Sequence, residues 1–154
     1  MTLNDKLEIF LVTYNRRKDL KRTLDSLLAE SSPIRTLDVT ILDNKSTDGT
    51  SELIKEYCAK YPNLKHIRHN RNIGGNANMA GAFENTTREY IWILCDNDFY
   101  CWDSWEEVEQ AIEEKADGIF VSTFNWPDVD IAHAFVQATF IPGIIYKTSN
   151  IDDN

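Results

Sequence analysis

The sequence has no apolar run near the ~20 residues that a membrane-spanning helix needs. Its first apolar stretch, "LEIFLV", is short and follows a mixed-charge start, unlike a signal peptide. Neither a transmembrane segment nor export is expected, and a cytoplasmic protein is. Cysteine is scarce as well. Cys58, Cys95 and Cys101 form no CxxC pair and leave an odd thiol, which argues against a disulfide framework and for a reducing compartment. Glycine-rich phosphate cradles are missing: "TYNRRKDL", after the first apolar run, holds no glycine, and neither GxxxxGK[ST] nor GxSxG occurs anywhere. Dinucleotide-dependent hydride transfer and P-loop phosphoryl transfer therefore lose their main signatures. His66 and His69 stand three apart in a strand-like run, so they point to opposite faces and cannot chelate one ion together.

Basic residues are missing from one half of the chain. Residues 1–75 hold 13 Lys and Arg against 10 Asp and Glu, whereas residues 76–154 hold 3 against 15, which gives the net charge of −9. So acidic a second half argues against wrapping a nucleic acid backbone. The milder first half can meet a small anionic ligand, above all if a cation bridges it to the acidic half.

What is present is an alternating pattern in a length of 154 residues, which suits one domain, 1–154, with a single sizeable core. "LEIFLVTY" (7–14) reads as a strand buried on both faces. Leu20, Leu24, Leu27 and Leu28 stripe a helix that ends around Ser31-Ser32-Pro33. "LDVTILD" (37–43) is a second strand, and Leu53, Ile54 and Tyr57 mark a second helix. "LKHIRHN" (64–70) is a third strand, less buried. Gly74-Gly75 opens a helical stretch with Ala77, Ala80 and Phe83 inward. "EYIWILC" (89–95), a helix striped by Trp105, Val108 and Ile112, and the strand "GIFVS" (118–122) follow. Five alternations call for an α/β fold, a mostly parallel sheet flanked by helices in three α/β/α layers. "TFIPGIIYK" (139–147) breaks the rhythm as a short strand or hairpin.

Parallel sheets bind ligands beyond the carboxyl ends of their strands. Those ends carry Thr13-Tyr14-Asn15, Asp43-Asn44, Asn70-Arg71-Asn72 with Gly74-Gly75, and Asp96-Asn97-Asp98. Each cluster alone favours a turn or cap over a ligand contact. Four on one rim make a single binding crevice. In an extended segment residues i and i+2 point the same way, so Asp96 and Asp98 can share one target. Carboxylate oxygens suit Mg²⁺ or Mn²⁺, ions that take few protein ligands and complete their shells with substrate phosphates.

The stretches "VTYNRRKDLKRTLDSLL", "TILDNKSTDGTSELI", "NRNIGGNANMAGAFE" and "YIWILCDNDF" together resemble the family 2 glycosyltransferases of the GT-A fold. They occur in the family's order across residues 7–122, each at a strand end. The resemblance implies a Rossmann-like GT-A fold and transfer of a sugar, with inversion, from a nucleotide-sugar donor to a glycan or lipid-linked acceptor. A UDP-sugar is the favoured donor. It implies that Thr13, Tyr14 and Asn15 lie beside the nucleotide base and that Asp43 hydrogen-bonds it. Arg71, Asn72 and Gly74 would close on the nucleoside. Asp98 would be the direct ligand of Mn²⁺ or Mg²⁺, with Asp96 nearer the ribose and the metal's second carboxylate. Peripheral association with the cytoplasmic face of a membrane is compatible with such an acceptor.

Two features depart from the pattern. Only 56 residues follow Asp98, where family members continue further, so the acceptor part and the general base are expected beyond Asn154. Asp128 and Asp130, with His133 nearby, read as loop residues rather than the base, and Trp126 as a loop anchor rather than a sugar platform. Two alternatives stay open: a non-catalytic nucleotide-sugar-binding or partner-docking domain, and a nucleotidyltransferase.

Overall fold

A computed structural model of the protein describes residues 1–98, 100, 102–120 and 144–150. Two largely apolar runs lie side by side in its sheet. β1 (Leu7–Thr13) and β2 (Val39–Asp43) are buried at every position. β3 (Leu64–Arg68) flanks β2, and β4 (Tyr90–Cys95) flanks β1 on the other side. All four run parallel, so their carboxyl ends share one rim.

The chain steps outward from β1 to β2 to β3, then returns to place β4 on the far side of β1. A crevice opens at such a reversal, because the two flanking connections leave in opposite directions. Beyond β4 the order is β6 (Ile144–Lys147) and then β5 (Gly118–Phe120), and β6 runs antiparallel to both neighbours. The alternating rhythm implies a fifth strand added directly beside the fourth. Instead the later segment "IIYK" is inserted between them, so the sheet is mixed. Residues 121 and 122 of the expected fifth strand lie outside the described residues.

Side chains alternate across the sheet, and each face has its own helices. Leu7, Ile9 and Leu11 point to one face, where they meet Leu20, Leu24 and Leu27 of α2 (Arg17–Leu27) and Leu53 and Ile54 of α3 (Thr50–Lys60). Trp92 belongs to this face with Trp105, Val108 and Ile112 of α5 (Trp105–Glu113). Phe10, Val12, Ile91 and Ile93 point the other way, toward Ala82 of α4 (Gly75–Asn85). The three layers match the sequence expectation. A four-residue helix α1 (Leu3–Lys6), closed by a Thr2–Asp5 capping box, precedes the sheet.

α4 departs from the expected facing. Ala77 and Ala80 are exposed, whereas Asn78, Gly81 and Ala82 are buried and Phe83 is half-buried. Asn78 turns inward because it has partners there. Its Nδ2 donates to the Leu42 carbonyl at 3.1 Å, and its Oδ1 lies 2.9 Å from His69 Nε2. A satisfied buried amide costs little, whereas an unsatisfied one costs ~1–3 kcal/mol.

Candidate functional site

Thr13 is the centre of the rim. Pairing sets it directly opposite Asp43 on β2, while on its other side β1 lies against β4 just before Asp96. Its hydroxyl donates to Asp96 Oδ2 at 2.7 Å. Thr23 of α2 donates to the Asp96 backbone carbonyl at 2.9 Å. The aspartate is therefore held from two elements across the crevice, and it is only 5% exposed. Arg16, at the start of α2, brings its Nε to 3.7 Å from Asp96 Oδ1.

Asp98 is half-buried and follows a turn in which its N–H points back to the Cys95 carbonyl at 3.5 Å. Tyr100 also donates to that carbonyl, at 3.1 Å. Burial raises the pKa of both aspartates above the ordinary carboxylate range. At Asp96 the Thr13 hydroxyl and Arg16 oppose this, and at Asp98 the contacts to Cys95 and Tyr100 do so. Burial, with added repulsion from Asp98 and Asp96, likewise pushes the Cys95 thiol up to about 11. The β4 end thus concentrates negative charge where water solvates it poorly, which favours a bound cation.

No group of three or more His, Cys, Asp or Glu side chains among the described residues forms a metal cage. Two carboxylates fit a hard divalent ion that takes the rest of its shell from phosphates and water. The donors present therefore suit Mn²⁺ or Mg²⁺ held jointly by Asp98, Asp96 and a ligand, and do not suit a structural zinc.

At the β2 end, Asp43 is fully buried. Its Oδ1 accepts the Ser46 N–H at 2.8 Å. Its Oδ2 sits 3.3 Å from Arg68 Nε and 3.7 Å from His66 Nε2, and neither Oδ2 nor that ring nitrogen has a hydrogen bond. Burial alone would raise the pKa of Asp43. The His66 ring and Ser46, through its side chain and N–H, outweigh burial and hold it at about 2. Arg68 also donates to the Ser46 carbonyl at 2.8 Å, so it lies as a partly exposed cover beside Asp43.

The remaining expected residues are joined through hydrogen bonds. Asn15 has a positive φ of 50°, donates its N–H to Ser46 Oγ at 2.9 Å and accepts the Thr47 N–H at 2.7 Å. The β1 and β2 loops are tied together in this way. Tyr14 stands 42% exposed on the rim. Asn72 accepts from Asn44 Nδ2 at 2.9 Å and from the Gly74 N–H at 2.8 Å. Asn44 in turn accepts the Ile73 N–H at 2.9 Å. Gly74 has φ +88°, a left-handed conformation that glycine adopts without a side-chain clash. Arg71 is exposed at the same loop.

Several organising residues go beyond those expected: Ser46, His66, Arg68, Thr23 and Asn78, while Asn44, expected only as part of the rim cluster, holds the 72–74 loop. His66 and Arg68 had a signal. They alternate on β3 and so share a face, in register with Ile41 and Asp43. His66 turns to Asp43 and His69 to Asn78, consistent with two histidines that do not chelate together. Trp126, Asp128, Asp130 and His133 lie outside the described residues.

Comparison with known proteins places the chain in a family. The model of glycosyl transferase family 2 matches residues 8–149, and the chain belongs to that family. The poly(ribitol-phosphate) beta-glucosyltransferase of Bacillus spizizenii is 26% identical, across 97% of this chain and 26% of its own length. The structure of Staphylococcus aureus TarS 1–349 in complex with UDP-GlcNAc superposes with a TM-score of 0.74. It is 24% identical and covers 97% of this chain and 47% of that one. A mannosyltransferase from Pyrobaculum calidifontis, in complex with GDP-Man and Mn²⁺, superposes at 0.61. It is 20% identical, over 76% of this chain and 35% of that one. These likenesses establish the GT-A fold. The chain spans about a quarter to a third of the length of the curated relatives it matches.

Proposed function

We propose that the chain is the donor-binding portion of an inverting glycosyltransferase. It would bind a nucleotide-diphosphate sugar, with a UDP-sugar favoured, and the sugar would pass to a glycan or lipid-linked acceptor. The observation that carries this reading is the Thr13-centred rim. Asp43 on one side and the Asp96–Asp98 pair on the other are fixed at the point where the strand order reverses.

Asp43, ionised and acceptor-only, reads the nucleotide base through Oδ2 once the Arg68 cover swings aside. Thr13, Tyr14 and Asn15 line the same end. The loop bearing Arg71, Asn72 and Gly74 closes on the nucleoside, held by Asn44. Asp98, with Asp96, would hold Mn²⁺ or Mg²⁺, and Asp96 would also face the ribose. When bound, the cation stabilises charge that develops on the leaving diphosphate. Support for a UDP-sugar comes from the family and from the UDP-GlcNAc complex of a protein with this fold, and support for the cation from the Mn²⁺ complex of another. Attack by an acceptor hydroxyl needs a general base, which is assigned to no described residue.

Incubation with a panel of UDP-sugars and Mn²⁺, reading release of UDP, tests the reading. Release at a rate above buffer supports a transferase donor site that hydrolyses slowly without acceptor. Metal-dependent UDP binding with no release or transfer moves the weight to a binding or docking domain. Nucleoside triphosphate turnover with pyrophosphate release points instead to a nucleotidyltransferase. No described helix is long and apolar enough to cross a membrane; a lipid-linked acceptor would bring the chain to the cytoplasmic face of a membrane as a peripheral contact.

A further inference from the structure

Arg16 has a place in the crevice that the donor-site reading leaves unused. It occupies the N-cap position of α2 with φ −134° and ψ 44°, and it makes no side-chain cap hydrogen bond. Its guanidinium lies instead between two carboxylates, with Nε 3.7 Å from Asp96 Oδ1 and Nη1 3.9 Å from Asp19 Oδ2. Both distances exceed a hydrogen bond, so charge holds the side chain there loosely. Its side chain is 51% exposed, whereas that of Asp96 is 7% exposed. The guanidinium therefore stands on the solvent side of a buried carboxylate, where it partly compensates that charge.

We infer that Arg16 is a placeholder for the divalent cation and a clamp for the diphosphate. This rests on the proposed donor site. With the metal absent, Arg16 neutralises Asp96. A cation bound by Asp96 and Asp98 takes over that neutralisation and repels the guanidinium. Arg16 is then displaced toward the crevice mouth, where a diphosphate bound to the cation brings new negative charge. Its planar fork suits two phosphate oxygens. Binding of the cation thus frees a second positive group for the nucleotide, and the two ligands become positively coupled.

The two roles predict opposite signs for one substitution, which a merely structural residue would not produce. In Arg16→Gln, Mn²⁺ without nucleotide should bind about 2- to 5-fold more tightly, the range expected for losing an exposed competing charge. UDP with saturating Mn²⁺ should bind about 10-fold more weakly, as for the loss of one charge-assisted phosphate contact. Uridine, which lacks phosphate, should bind unchanged. Arg16→Lys should keep much of the UDP affinity. Calorimetry on the wild-type and variant chains reads each of these, with circular dichroism to compare the folds. If Arg16→Gln weakens or leaves unchanged the binding of Mn²⁺ alone, the placeholder role falls. If UDP affinity holds, or uridine affinity falls equally, the clamp role falls. A wild-type chain that binds neither Mn²⁺ nor UDP overturns the donor-site reading and this inference with it.

Discussion

At the scale of single residues, the two ends of the rim use carboxylates in opposite ways. Asp43 is buried beside positive and donor groups and stays ionised, whereas at Asp96 and the half-buried Asp98 burial outweighs the groups that oppose it. Asp98→Ala should therefore abolish Mn²⁺-dependent UDP binding while the far-UV circular dichroism stays as in the wild type, and unchanged affinity by calorimetry would contradict the metal assignment. For Asp43 the sign follows from linkage. Its folded-state pKa of about 2 lies below the reference value of 3.8. It thus stabilises the fold above that reference value, and the contribution disappears as pH falls through about 2. A shift of this size corresponds to about 2 kcal/mol. Urea melts of Asp43→Asn should show a stability deficit near neutral pH that shrinks by about that amount toward pH ~2; a deficit independent of pH would refute the ion pairing. The same variant should bind UDP more weakly whether or not Mn²⁺ is present, and an effect confined to the metal-loaded state would contradict a role at the base.

At the scale of elements, β1, β2 and β4 were legible because a strand buried on both faces is written as a short, nearly continuous apolar run bounded by turn residues. α2 and α5 were legible from their stripes. α4 was not, because Ala77 and Ala80 look like a core face and Asn78 does not, yet Asn78 is inward with two partners. Polar burial of that kind depends on which groups the fold brings near, and sequence spacing does not carry it. β6 was legible as a short strand within "TFIPGIIYK", but its antiparallel place between β4 and β5 was hidden for a related reason: its pairing with Ile91 and Trp92 is distant in the chain. Within the site, Thr13, Asp43 and Asp96 stood out as polar residues ending apolar runs. Asn44 was visible as part of the Asp43-Asn44 cluster on the rim, without a role of its own. It proves to be 2% exposed and holds the 72–74 loop from both ends of its amide. Asn44→Ala should destabilise the protein by about 1–3 kcal/mol and speed hydrogen exchange at the Ile73 amide, and undiminished protection there would show that the loop is held by something else.

At the scale of the whole molecule, the uneven charge acquires a location. The basic excess lies in the half that supplies β1, β2 and β3, and the acidic excess in the half that supplies β4 and α5. The crevice between β1 and β4 is the seam between them. A diphosphate bound there would meet repulsion from the acidic half, and a cation on Asp96 and Asp98 removes it. Family membership and fold fix the class of the chain, and the rim is where we propose that a donor sits. The central claim is that this seam binds a nucleoside diphosphate through a divalent cation. Titrating UDP into the chain by calorimetry, with Mn²⁺ and then with the metal chelated, tests it most directly. Binding should be saturable and one-to-one, should weaken at least tenfold on chelation and should be lost in Asp98→Ala. Equal affinity with and without the metal, or no binding in either condition, would contradict it.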